Sequence, residues 1–176
     1  LLTQATVQAR QSRQVRAALP YLLEEQLAAT PEQLHLAFKK CPQPNRYQVA
    51  VIEDDLLSRL INQVIAAGIR LEGAYPDCQG LNSANGGSLM IDGDRVLFKS
   101  TTHQFAAPLQ LAGKLLHKTK FDSTKLTCFL TQNSHQNSPA NNQVTTLLQE
   151  INLTEQQCQL ISEPLELLAR GLGSSS

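Results

Sequence analysis

A stripe of apolar residues with helical spacing runs through residues 13–28 and predicts an amphipathic helix. The opposite face of this helix carries Arg, Gln and Glu, which is typical of a helix packed on a core. Pro20 removes one backbone donor inside the stripe, so we expect the helix to kink or restart there. We place the N-cap at Ser12 and the helix end near Ala29. The core-facing stripe consists of Val15, Ala18, Leu19, Leu22, Leu23 and Leu27.

The rest of the first half alternates between strand and helix patterns. Apolar residues at every second position predict a half-buried strand over Leu34–Phe38. The run Tyr47–Ile52 is apolar enough to predict a strand buried on both faces, and Ile69–Ala74 predicts a third strand. Between them, a stripe over Leu56–Ile65 predicts a helix that Gly68 ends in the left-handed conformation.

The second half opens on a strong hairpin pattern. Two apolar runs flank Asp92-Gly93-Asp94, and Asp-Gly between apolar runs predicts a tight β-hairpin turn. The expected order is β-β-β-α-β-α followed by a C-terminal helix, which indicates a mixed sheet. The predicted elements after the turn are strands near Gln104–Ala106 and Leu126–Leu130, a helix opened by Pro108, a polar loop Asn133–Asn142, a helix over Val144–Ile151 and last turns over Leu165–Leu172.

Two α/β halves joined by a glycine-rich connector are the predicted organisation. We assign residues 1–80 to a first lobe, residues 81–172 to a second lobe and residues 173–176 to a tail. The chain begins at Leu1 without Met, so we expect it to be a fragment or to lack its first segment. No apolar run approaches the ~18 residues that span a bilayer.

Composition narrows the function classes. The 176 residues include 15 basic and 15 acidic side chains without a basic block, so we do not expect nucleic acid as a partner. The histidines are scattered, and we predict no metal site. The cysteines lack a C-x-x-C pair, which favours reduced cytosolic thiols, and Cys128 inside an apolar strand is interpreted as a small buried hydrophobe.

The chain lacks the usual local motifs of catalysis. It has neither G-x-S-x-G nor G-x-x-x-x-G-K-[ST], and we predict no catalytic residue. Asp92-Gly93-Asp94 has two interpretations: a carboxylate pair that orients a cation or phosphate, with Asp92 as the cofactor-binding candidate, or the ordinary chemistry of a hairpin turn. The acidic pair Glu24-Glu25 is either a partner-facing charge or a solvated helix face.

The amino-acid sequence of the first predicted helix resembles that of a known protein family. Ala18–Ala28 (ALPYLLEEQLA), followed by Leu34–Ala37 (LHLA), resembles the cytoplasmic domain of the type II secretion system protein L family. Leu89–Leu97 is similar to the hairpin of that family, and the likeness continues in order over most of the chain. The resemblance implies a mixed α/β, actin-like fold of two ribonuclease-H-like lobes, of which the first is incomplete at its N-terminus.

The same resemblance implies a non-enzymatic adaptor without a cofactor. Members of the family bind the N-terminal domain of the secretion ATPase, protein E, beside protein M. We therefore expect a soluble fragment of a single-pass protein, on the cytoplasmic side of the bacterial inner membrane, that dimerises through its membrane and periplasmic parts. We expect the partner surface to use an edge strand near Leu34–Phe38. Its predicted residues are Tyr21, Glu24, Glu25, Leu36 and Phe38.

An alternative is a nucleotide-binding actin-like protein of the type IV pilus assembly type. Actin-type ATPases carry a D-x-G phosphate loop, whereas Asp92-Gly93-Asp94 has a shorter spacing and lacks the following Gly and Thr. Nucleotide hydrolysis is therefore not supported, and the fold alone does not determine the function. For the adaptor, we expect replacement of Phe38 or Tyr21 by Asp to weaken ATPase binding without unfolding the lobe.

Overall fold

A computed structural model describes residues 1–173 except 10, 28, 84, 85, 120 and 136–139. The chain divides into two compact units, Leu1–Ala74 and Tyr75–Ser176. The boundary lies before Tyr75 rather than after residue 80, because Cys78 is buried and Gly80 lies against the backbone of Leu168. Most of the predicted tail, residues 174–176, lies outside the described residues.

The first unit is built on a three-stranded antiparallel sheet of order β1-β3-β2. Strand β3 is central, and β2 pairs with β3 alone among the described residues, which makes β2 the predicted edge strand. Short 3-10 turns follow α1 and precede β2. The elements are β1 (Leu2–Thr6), α1 (Ser12–Leu23), β2 (Leu34–Lys40), β3 (Arg46–Glu53) and α2 (Asp54–Ala66), with 3-10 turns at Glu24–Gln26 and Pro31–Gln33.

Helix α1 is continuous through Pro20 and ends at Leu23. The carbonyl that Pro20 leaves without its donor belongs to Arg16, an exposed residue, so the predicted split is not required. Gln11 is the N-cap and Ser12 is the first helical residue, so the predicted cap was one residue late. The apolar stripe packs on the sheet through its buried members Val15, Leu19 and Leu23.

Burial corrects three other predictions for the first unit. Leu22 is 52% exposed, so it does not belong to the core. Strand β3 buries one face strongly, through Tyr47, Val49 and Val51, because the intervening residues are only partly covered. Ile69–Ala74 forms no strand, since it pairs with no strand among the described residues, and its side chains are exposed. Gly68 has the predicted positive φ, at 75°.

The second unit contains a five-stranded mixed sheet of order β6-β5-β4-β7-β8. Strands β4, β5 and β6 form an antiparallel meander, whereas β7 and β8 continue the sheet in parallel from β4. The elements are β4 (Gly87–Asp92), β5 (Arg95–Lys99), β6 (Gln104–Pro108), α3 (Leu109–Lys118), β7 (Leu126–Thr131), α4 (Gln132–His135), α5 (Ala140–Glu150), β8 (Cys158–Ile161) and α6 (Pro164–Gly173).

This element order contains the predicted β-β-β-α-β-α run, and the mixed α/β fold class is confirmed. Two elements were not predicted: strand β8, and helix α4 inside the predicted polar loop. Residues 136–139 of that loop lie outside the described residues. Strand β4 is buried from Gly87 to Ile91 because it is the central strand, with a core packed between one sheet face and helices α3 and α5. That core includes Leu89, Ile91, Val96, Phe98, Leu116, Leu130, Val144 and Leu148.

Candidate functional site

The hairpin turn at the end of β4 holds the predicted cofactor candidate, Asp92. Asp92 is the register partner of Arg95, and Gly93 between them has a φ of 61°, a conformation that favours glycine. The main-chain carbonyl of Asp94 accepts a hydrogen bond from the Leu109 amide at 2.7 Å, which joins the turn to the start of α3. The Asp-Gly pair therefore forms the tight hairpin turn that the sequence predicts.

A buried network closes this turn from the side of β7. Strand β7 runs parallel to β4 with Leu130 opposite Ile91, so Thr131 comes beside Asp92. The Thr131 hydroxyl donates to Asp92 Oδ1 at 2.7 Å. The Ser134 hydroxyl accepts from the Gly93 amide and donates to the Ile91 carbonyl, both at 2.8 Å. Thr131 and Ser134 are buried, with 1% and 2% of their surface exposed.

The polar groups of the network are hydrogen-bonded to one another. A phosphate loop needs backbone amides that point at the ligand, but the Gly93 amide already donates to Ser134. The Asp92 carboxylate accepts from Thr131, which anchors the side chain to the strand end. This arrangement favours the structural interpretation of the Asp-Gly pair. Sequence reasoning missed Ser134 and Thr131, because 39 or more residues separate them from their partners.

The predicted partner residues Tyr21, Glu24 and Glu25 lie together at the C-terminal end of α1. Tyr21 is 78% exposed and Leu22, beside it, is 52% exposed. Glu24 and Glu25 are exposed in the 3-10 turn that follows, and Gln26 of that turn accepts a hydrogen bond from the Thr3 hydroxyl of β1 at 3.0 Å. We call Tyr21, Leu22, Glu24 and Glu25 the α1 tip. It combines exposed apolar area with two carboxylates.

Leu36 and Phe38 do not belong to the α1 tip. Both are half-buried on β2 and pack against the core of the first unit. The Phe38 ring meets Tyr47 edge to face, with ring centroids 5.8 Å apart, and the Arg16 guanidinium lies 5.8 Å from the Phe38 ring centroid. Replacement of Phe38 by Asp is therefore expected to disturb the core of the first unit in addition to any effect on partner binding.

The described residues contain no group of three or more His, Cys, Asp or Glu side chains that could hold a metal ion. None of the helices within the described ranges is long and apolar enough to cross a bilayer.

The family model of the type II secretion system (T2SS), protein L, matches residues 1–173. The type II secretion system protein L of Pectobacterium carotovorum subsp. carotovorum is 33% identical over 106 residues, which cover 59% of this chain and 25% of that protein. The protein L of Dickeya chrysanthemi is 38% identical over 77 residues, or 43% of this chain and 19% of that protein. The chain thus spans a quarter or less of these relatives.

Two solved structures are also similar. The cytoplasmic domain of EpsL, an inner membrane component of the type II secretion system of Vibrio cholerae, matches with a TM-score of 0.69 and 21% identity over 100% of this chain and 71% of that chain. A Bacteroides thetaiotaomicron protein of actin-like ATPase fold and unknown function matches with a TM-score of 0.48 and 10% identity, over 96% of this chain and 69% of that chain. The likeness to the EpsL domain confirms the predicted fold class, and the family model covers almost the whole chain. The chain belongs to the type II secretion system protein L family.

Proposed function

We propose that this chain is a non-enzymatic adaptor that binds the N-terminal domain of the secretion ATPase, protein E, on the cytoplasmic side of the inner membrane. In this role the complete protein holds the ATPase beside protein M, and it dimerises through parts outside this chain. The proposal is supported by membership in the protein L family. The observation that carries the binding role is the α1 tip, where Tyr21 and Leu22 are exposed beside two carboxylates.

The composition of the α1 tip defines the partner that fits it. Exposed apolar side chains rimmed by charges mark an interaction surface, and tyrosine is enriched among residues that dominate binding energy. A fitting partner presents an apolar pocket to Tyr21 and Leu22 and basic side chains to Glu24 and Glu25. Because the carboxylates are exposed, they contribute more to association rate and specificity than to affinity.

The alternative function, nucleotide binding, meets an obstacle at the hairpin turn. A phosphate bound there would have to displace the buried Ser134 hydroxyl from the half-buried Gly93 amide. The lost buried hydrogen bonds would oppose binding by about 1–3 kcal/mol for each group left unsatisfied. Titration with Mg-ATP tests this directly, and saturable binding in the micromolar range would favour the alternative.

Binding of the chain to the isolated N-terminal domain of protein E tests the adaptor function. We expect Tyr21→Asp to weaken the complex at least about tenfold, which corresponds to ~1.4 kcal/mol. Tyr75→Asp is the matched control, since Tyr75 is also exposed, at 64%, but lies in the second unit. Calorimetry gives the affinity, and circular dichroism shows that both variants fold.

Two outcomes of this experiment distinguish the proposed ATPase binding from the proposed role of the α1 tip in it. If the wild-type chain shows no association at ~100 μM, the weak end of transient contacts, the adaptor function is contradicted. If the wild type binds and Tyr21→Asp binds equally well, the ATPase is still the partner but the α1 tip is not its surface. The charge-reversal variant Glu24→Lys/Glu25→Lys should slow association and reduce its salt dependence.

A further inference from the structure

Cys128 and Cys158 face each other across the parallel strands β7 and β8. They are register partners, and both lie against the core on the side of α3 and α5. The Cys158 thiol donates to the main-chain carbonyl of Thr154 at 3.5 Å. Neighbouring strands are about 4.8 Å apart, a spacing inside the Cα range of roughly 4.4–6.8 Å that a disulfide spans. The register pairing of the two adjacent strands is therefore compatible with a disulfide between Cys128 and Cys158.

The two thiols differ in access and acidity. Cys128 is 1% exposed, whereas Cys158 is only half-buried. The hydrogen bond from Cys128 lowers the pKa of Cys158, and the same contact together with burial raises the pKa of Cys128. The more acidic, accessible thiol is the one that reacts with a reagent from solution. The buried thiol is placed to attack second.

The remaining cysteines lack this arrangement. Cys41 lies in the first unit, after the end of β2. Cys78 is buried in the 3-10 turn Asp77–Gly80, where burial and the neighbouring Asp77 carboxylate raise its pKa to about 11. Neither of them occupies a strand position opposite another cysteine. They provide internal references for any thiol reagent.

We propose that Cys128 and Cys158 form a reversible oxidation site, at which a small disulfide such as oxidised glutathione joins the two thiols and ties β8 to β7. The Cys158 thiolate attacks one sulfur of the reagent, the reagent's sulfur–sulfur bond breaks, and one glutathione leaves as a thiolate that takes up a proton. Cys128 then loses its proton and attacks the Cys158 sulfur of the mixed disulfide. The second glutathione leaves, so two protein thiols are oxidised and one disulfide is reduced to two thiols.

The link acts on a short strand at one end of the second sheet. Strand β8 has four residues and lies at the end of the strand order, paired with β7 alone among the described residues. Leu160 of this strand is 58% exposed, so the core covers this strand only in part. A covalent bond at the first register pair prevents β8 from separating from β7 at that point. The expected result is slower hydrogen exchange in β8 after oxidation.

Mass spectrometry of the whole chain tests the site. The protein is equilibrated with glutathione redox buffers, quenched in acid, alkylated with N-ethylmaleimide and mapped by peptide. We expect two of the four thiols to escape alkylation, a mass decrease of ~2 Da before alkylation, and one peptide pair joined through Cys128 and Cys158, all reversed by dithiothreitol. Cys158→Ser should abolish this product, and Cys41→Ser, the matched control at a half-buried cysteine, should leave it unchanged.

Three results would overturn the proposal. The wild-type chain could remain fully alkylated in oxidising buffer, it could stop at a stable glutathione adduct ~305 Da heavier, or its link could involve Cys41 or Cys78. The wild-type peptide map distinguishes these results by itself, so a folding defect in a variant does not remove the test. If hydrogen exchange in β8 is equally fast in the reduced and the disulfide-linked protein, the link does not hold β8 against β7.

Discussion

Replacement of Ser134 by alanine measures what the buried network contributes to the hairpin turn. The hydroxyl donates to the Ile91 carbonyl and accepts from the Gly93 amide, each at 2.8 Å. Removal of one partner leaves a buried polar group unsatisfied, at a cost of about 1–3 kcal/mol. Ile91 is fully buried, but Gly93 is half-buried, so water replaces part of its lost bond. We therefore expect Ser134→Ala to destabilise the second unit by about 2 kcal/mol.

Hydrogen exchange followed by mass spectrometry resolves this effect by unit. A loss of about 2 kcal/mol corresponds to roughly 30-fold faster exchange of protected amides in β4, β5 and β7. The strands of the first unit serve as an internal reference, since the two units have separate cores. Ser58→Ala is the matched control, because Ser58 is exposed on α2 and its replacement should change stability by less than ~0.5 kcal/mol.

If Ser134→Ala accelerates exchange in β4 less than about threefold, the hydroxyl does not satisfy the turn and the network carries little energy. The obstacle to phosphate binding would then disappear as well. Mg-ATP titration of the same variant checks this second consequence, since Ser134→Ala leaves the Gly93 amide available.

Three further predictions concern packing and pH. Gly80→Ala should destabilise the second unit by about 1–3 kcal/mol, because the added Cβ would lie 2.5 Å from the Leu168 carbonyl oxygen. Urea denaturation measures this change, and unchanged stability would show that α6 can shift to make room for the methyl group. Phe38→Asp should lower the stability of the first unit by at least about 2 kcal/mol, and Phe38→Leu is the milder control. Thermal melting of the Asp variant at the wild-type temperature would contradict this expectation. Hydrogen bonds from Thr124 lower the pKa of Asp122 from 3.8, and Asp122 caps the 3-10 turn Ser123–Lys125. The order that these bonds add to the turn should be complete above pH 3.8 and be lost as pH falls through the lower folded pKa. NMR titration of the Thr124 amide measures this, and a midpoint at or above 3.8 would refute it.

The candidate surface was predictable in part. Glu24 and Glu25 are acidic residues at a helix end, and charge alone predicts their exposure. The apolar stripe suggested that Leu22 faces the core, yet it is exposed because Val15, Leu19 and Leu23 already fill the face that meets the sheet. Periodicity gives a helix face about 100° wide but not its exact centre, so residues at its margin are assigned only by packing.

The hairpin shows what the sequence determined by itself. The Asp-Gly turn, the two apolar runs beside it and the helix α3 are local patterns, and the structure has each of them where the pattern predicts. Their information lies within a few residues, because turn geometry and amphipathic periodicity depend on near neighbours. The family resemblance is also local information, since it rests on short sequence segments that occur in the same order as in the family.

Tertiary structure decided the features that depend on distant segments. Strand β8 is short and weakly apolar, and it is a strand because β7 offers it a parallel edge. Ile69–Ala74 has a strand-like composition but no strand partner among the described residues, and it remains irregular. The contact of Ser134 with Gly93 and the pairing of Cys128 with Cys158 likewise join residues that are far apart in the chain. A sequence pattern specifies which hydrogen-bonding and apolar groups need partners, and only the packed chain determines which partners they meet.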